Sequence, residues 1–169
     1  MSNAAIIDRL MSASESYPDW RQFATDVTGH NSMCGIHIAV MLDPFLGYVL
    51  DGTKTIESRF SKHLIAPYQR VAVGDLVFLK AGPIVAVFRA SSVECFDLND
   101  TERVRVRQCY SDQICADDAF WEARSDRNYA TLIGISHVHR LTPIAIPKHD
   151  RRGWLVLREP SVMGQLSLS

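Results

Sequence analysis

Residues 71 to 96 read VAVGDLVFLKAGPIVAVFRASSVECF, apolar and β-branched runs interrupted by the turn pairs Gly74-Asp75 and Gly82-Pro83. Glycine admits the positive φ that tight turns use, and proline presets a turn and cannot donate to a central ladder. The pattern predicts strands over 76–80 and 84–96. Strands this short, linked by turns this tight, suit a small, mostly antiparallel sheet that closes into a barrel or half-barrel.

The rest of the chain fits around that hairpin. CGIHIAVML (34–42) is a further strand, followed by Asp43 and Pro44 as N-cap and first residue of a short helix over 44–51, with Gly52 as its stop. TKTIESRF then alternates: Ile56, Ser58 and Phe60 on one face, Thr55, Glu57 and Arg59 on the other. Two stretches before residue 33, 4–12 and 18–28, carry apolar residues at helical spacing and read as an N-terminal extension. Residues 98–128 form a helical insertion capped at Asp100, although RVRVR (103–107) also permits a strand, and ADDAFWEARSDRN reads as a helix with acids early and arginines late. YATLIGISHVHRL and GWLVL return to strand pattern. The division expected is an extension over 1–33, an α+β barrel domain of five to six strands over 34–160, and a tail over 161–169.

Composition narrows the function classes. With 169 residues and 47% hydrophobic content, one domain can bury a core. A net charge of −1 argues against coating nucleic acid by overall charge, but local basic groups stand at 103–107, 124–127 and 148–154. Cys34, Cys95, Cys109 and Cys115 have no CxxC spacing, which favours reduced thiols in a cytoplasm. Cys109, Cys115, His137 and His139 fit no familiar zinc spacing, so no metal site is assigned. No cofactor is expected, and the sequence gives no sign of a required divalent metal. The first residues lack a basic-then-apolar leader, and no apolar run reaches the ~18 residues of a membrane helix.

The most chemical stretch is DGTKTIESRF. Its pattern Gly52-x-Lys54-x-x-Glu57-x-Arg59, after a short helix and before VAVGDLVFL, resembles the ASCH domain, a relative of the PUA RNA-binding barrel. The resemblance runs from about 36 to 96 and resumes at ATLIGISHV and GWLVL. It implies a PUA-like β-barrel flanked by short helices, with a cleft beside the motif that receives RNA or a modified nucleoside. It also implies a choice of activities: RNA binding, ribonuclease action, or, in a short bacterial subgroup, deacetylation of an N4-acylated cytidine. That subgroup carries a nucleophilic threonine where this chain has Glu57, and a carboxylate does not substitute for a hydroxyl in the same attack.

Each candidate residue has two readings. Lys54 meets a phosphate or a developing oxyanion, or is an exposed turn lysine. Glu57 and Arg59 act as base and phosphate clamp, or form an ion pair that holds the strand. Tyr48, six residues before Lys54, stacks a base or donates a proton, or packs its helix on the barrel. Trp121 and Trp154 sit among apolar neighbours and read as core. Arg124, Ser125, Arg127 and Tyr129, with Lys148, Arg151 and Arg152 in a later basic loop, are candidate RNA contacts or solvated charge.

Three functions follow: an RNA-binding module for single strands or a modified nucleotide; a hydrolase with Lys54, Glu57 and Tyr48 as catalytic candidates; and a protein-interaction module that uses the N-terminal helices.

Overall fold

A computed structural model of the chain describes residues 1–14, 34–147 and 152–160. In chain order the elements are α1 (Asn3–Ser14), β1 (Ile36–Val40), α2 (Phe45–Leu50), β2 (Ile56–Ser61), β3 (Leu76–Lys80), β4 (Ile84–Asp97), α3 (Asp100–Ile114), α4 (Asp118–Glu122), β5 (Tyr129–Ile144) and β6 (Trp154–Arg158). The predicted second N-terminal helix over 18–28 and the tail lie outside the described residues, as do Lys148 and Arg151.

The strands form one six-stranded sheet in the order β2-β5-β4-β3-β1-β6. All neighbours are antiparallel except β1 and β3, which are parallel and pair Ile36 with Leu76 through Val40 with Lys80. The predicted hairpin forms: Leu76 lies opposite Arg89 and Lys80 opposite Ile84. Long β4 and β5 carry the curl. Their pairing slips at three places, between Ile84 and Ala86, Val87 and Arg89, and Ala90 and Ser92, and such bulges bend a sheet and strengthen its twist. At the last slip the strands come so close that a Cβ on Gly134 would lie 2.4 Å from Ser92 Oγ and 2.5 Å from Ser91 Oγ. The result is a curled α+β half-barrel.

Both faces of β1 and β3 are covered, which explains why their sequences are apolar apart from the buried His37 and the terminal Lys80. Ile36, Ile38, Leu76 and Phe78 point to one core, while Ala39, Val77 and Leu79 point to another with Leu46, Val49 and Trp154. The first core also contains Ile6, Leu10 and Met11 of α1. The N-terminal helix is therefore part of the barrel's packing. A third core, under α3 and α4, gathers Phe96, Val106, Ile114, Trp121 and Leu132.

Two helix starts differ from the sequence reading. Pro44, rather than Asp43, occupies the N-cap of α2, yet the Asp43 carboxylate still accepts the Gly47 N–H at 3.0 Å. In α3 the cap is Asn99, whose side chain accepts from Glu102 N at 2.8 Å, and Asp100 is the first helical residue beside the positive end of the helix dipole. That cap settles RVRVR as helix, with Val106 buried and Val104 on the surface.

A buried polar network ties the sheet's interior. Asp75 accepts from Gly35 N at 2.6 Å and Ala72 N at 2.9 Å, and lies 2.9 Å from His37 Nε2. Trp154 Nε1 can only donate, so His37 Nδ1 is its acceptor at 3.3 Å and Nε2 carries the proton toward Asp75.

Candidate functional site

The local fold places Lys54 by two backbone anchors. Gly52, at φ 83°, ends α2, and Lys54 N then donates to Tyr48 O at 2.8 Å while Thr55 N donates to Gln113 O at 3.0 Å. The turn is thereby pressed against the C-terminal end of α3. Lys54 Nζ donates to Ile114 O at 3.0 Å, so the ammonium caps a helix terminus where carbonyls lack intrahelical partners.

Glu57 sits between two cations. Its Oε2 is 3.5 Å from Lys54 Nζ and its Oε1 accepts from Arg59 Nε at 2.6 Å. Lys54 is 3% exposed and Glu57 4%, so this is a buried charge cluster. Burial pushes the Lys54 ammonium below the usual lysine range, and the Glu57 carboxylate opposes that shift.

Arg59 reaches further than its pair. Its Nη2 donates to Val40 O at 2.8 Å and its Nη1 to Gly153 O at 3.3 Å, with the guanidinium 5.4 Å from the Trp154 ring centre. Val40 ends β1 and Gly153 precedes β6, so one side chain from edge strand β2 joins the opposite side of the sheet. The ion-pair reading of Glu57 and Arg59 has a direct geometric basis.

Beside the cluster lies a pocket of about 270 Å³ lined by Met41, Phe45, Lys54, Glu57, Phe60, Phe120 and Arg124, with residues 40, 42, 58 and 59 completing its wall. Phe120 stacks edge-on against both Phe45 (5.8 Å) and Phe60 (5.9 Å). Arg124 lies over the Phe120 ring at 3.6 Å and donates to Phe120 O at 3.0 Å; among the described residues it forms no ion pair. Burial, then repulsion from Arg127 and Arg59, pulls its guanidinium below the usual arginine value against the attraction of Glu57. Three cations thus face one carboxylate across an aromatic wall.

The other sequence candidates fall elsewhere. Tyr48 is 36% exposed, with its ring 6.3 Å from Phe45, and does not line the pocket. Ser125 borders a neighbouring cavity. Arg127 pairs with Asp126 at 3.7 Å, and its carbonyl accepts from Arg103 at 2.8 Å. Tyr129 starts β5 and packs against Tyr68 at 5.2 Å. Arg152 lies along a separate groove bordered by Tyr68, Arg70 and Trp154. Trp121 and Trp154 are buried in the core, as their apolar neighbours indicated.

Sequence reasoning missed the phenylalanines. Phe120 and Arg124 stand at i and i+4 across the end of α4, a spacing that puts side chains together, and this signal was available. Alternation puts Phe60 on the face away from Glu57, yet β2 is an edge strand and residues from both its faces border the pocket. No group of three or more metal-ligating side chains occurs among the described residues, and none of their helices is long and apolar enough to cross a membrane.

No family model and no curated protein sequence matches the chain. Its structure is similar to that of the ASCH protein of Zymomonas mobilis, with a TM-score of 0.58 and 12% identity over 79% of this chain and 94% of that one. Two single-substitution variants of that protein give 0.58 at 12% identity and 0.57 at 13%, covering 95% and 97% of their chains. The chain shares the fold of that ASCH protein.

Proposed function

We propose that the chain is an RNA-binding ASCH domain protein that takes an unpaired or modified nucleotide of a single strand into the pocket beside Lys54, Glu57 and Arg59. The observation that carries this reading is the pairing of an aromatic wall, Phe45, Phe60 and Phe120, with an excess of cations over Glu57. Aromatic rings stack bases of any sequence, and cations supply phosphate affinity. The pocket is smaller than the roughly 300–1,000 Å³ of clefts for drug-sized ligands, a size suited to one planar base. A duplex keeps its bases stacked and cannot present one.

A second reading, hydrolysis in the same pocket, is favoured by the buried Lys54 amine, whose lowered pKa and contact with Glu57 suit proton transfer. The substrate would be RNA or, with the Glu57 departure noted above, an N4-acylated cytidine.

Binding and integrity of a labelled short single-stranded RNA, followed with wild type and folded Lys54→Met, test both. Retention of intact RNA with affinity that falls as salt rises supports the binding reading. Cleavage or deacylation that the variant lacks supports hydrolysis. Equal affinity for duplex and single strand contradicts the proposed pocket.

A further inference from the structure

A second cavity, about 440 Å³, adjoins the motif pocket and shares two of its wall residues, Phe60 and Arg124. Its floor is apolar, from Leu98, Val106 and Trp121, and its rim carries Arg103, Arg107 and Ser125 with Asp118 and Glu122. The rim charges are mostly committed. Arg107 pairs with Asp118 at 2.6 Å, and Arg103 donates to the carbonyls of Leu98, Arg124 and Arg127 at 2.8 to 3.4 Å. In the motif pocket Lys54 and Arg59 are likewise held by Glu57, Ile114 O, Val40 O and Gly153 O. Arg124, on the boundary, has a single backbone acceptor and no carboxylate partner among the described residues.

From this arrangement we infer that the two cavities bind two successive nucleotides of one strand, with the intervening phosphate on Arg124. A guanidinium is a planar fork of five donors and, with one donor engaged, presents the others to a phosphodiester. Phe60 and Phe120 form the aromatic wall against which the base in the motif pocket packs, and the apolar floor before Trp121 receives the next one. Arg103 fixes the carbonyls around residues 124 and 127, which holds the boundary arginine in register. The smallest ligand that fills both cavities is therefore a dinucleotide, and this rests on the nucleotide-binding reading of the motif pocket.

The test is equilibrium binding of a nucleoside, its 5′-monophosphate and a dinucleoside monophosphate to the full chain, with wild type, Arg124→Gln, Arg124→Lys and Ser125→Trp, folding being followed by circular dichroism. Ser125→Trp fills the mouth of the second cavity from an exposed position. For wild type the dinucleotide binds at least roughly tenfold tighter than the nucleoside, the order of one added base stack. Arg124→Gln loses most of that gain, Arg124→Lys restores part of it, and Ser125→Trp reduces dinucleotide affinity to that of the monophosphate. A dinucleotide advantage that survives both Arg124→Gln and Ser125→Trp overturns the two-site inference while leaving the single pocket intact, as does equal affinity of wild type for nucleoside and dinucleotide. Failure of wild type to bind all three ligands overturns the pocket reading as well.

Discussion

Arg59 on edge strand β2 donates to the carbonyl of Gly153, which precedes the opposite edge strand β6, at 3.3 Å. With its bond to Val40 O at 2.8 Å, this contact draws the two edges of the curled sheet together across the motif. Arg59→Ala removes both bonds and one of the two cationic partners of Glu57. Since a hydrogen bond to a charged group contributes about 1.5–3 kcal/mol, a loss of about 2 kcal/mol is expected. Amide hydrogen exchange should accelerate most in residues 154–158. Uniform acceleration across the sheet would count against the edge-joining role.

Glu57→Gln leaves Lys54 and Arg59 facing a neutral amide, with the lysine almost fully buried. Removing one member of a buried ion cluster costs about 3–5 kcal/mol, because the remaining charge is uncompensated. The expected result is a denaturation midpoint lowered by an amount corresponding to about 3 kcal/mol, with a further fall in the Lys54 pKa, since Glu57 is the main group that raises it. A midpoint within error of wild type would place the cluster in solvent.

The pH dependence of stability follows from Lys54. Burial lowers its folded pKa below the ordinary 10.5, so the native state releases the proton before the unfolded chain does. Between those two values the unfolded chain binds more protons, and stability rises with pH. Below the folded value both states hold the proton and the slope vanishes. Wild type should therefore gain stability relative to Lys54→Met as pH climbs toward 10.5, measured by urea unfolding at a series of alkaline pH values. The comparison isolates the lysine from Cys34, Tyr68 and Tyr110, whose raised values give the opposite slope. The Lys54 ammonium holds the Cys115 thiol down, and losing it raises that thiol further, so a Cys115→Ser background is used for both proteins.

Ile6 is 1% exposed and packs with Leu10 against the core containing Ile38 and Phe78. Ile6→Ala should cost about 2–4 kcal/mol, the range for truncating a buried aliphatic side chain. A change below 0.5 kcal/mol, within the usual range for surface substitutions, would return α1 to the status of a detachable appendage.

Much of this fold was legible from local chemistry. The Gly74-Asp75 and Gly82-Pro83 turns, the stop at Gly52 and the alternation of TKTIESRF each follow from backbone or pleat geometry and gave the strands they imply. The parallel β1–β3 pair was not legible, because strand neighbours separated by helix and edge strand leave no local signature. At the site, Glu57 and Arg59 were read together from a period of two. Phe45 and Phe120 were missed because their meeting depends on how α2 and α4 pack across β2, a tertiary relationship. The capping of α3 by Lys54 was hidden for the same reason: Ile114 lies sixty residues along the chain.

The most direct measurement is an NMR titration of the isotope-labelled chain with a single-stranded dinucleotide, reading the aromatic signals of Phe45, Phe60 and Phe120 and the Arg124 guanidinium. Saturable shifts centred on these groups are expected, with the Lys54 amine responding and the groove around Tyr68 and Arg70 unchanged. Shifts confined to that groove, or none at these residues under saturation, would contradict the proposed pocket.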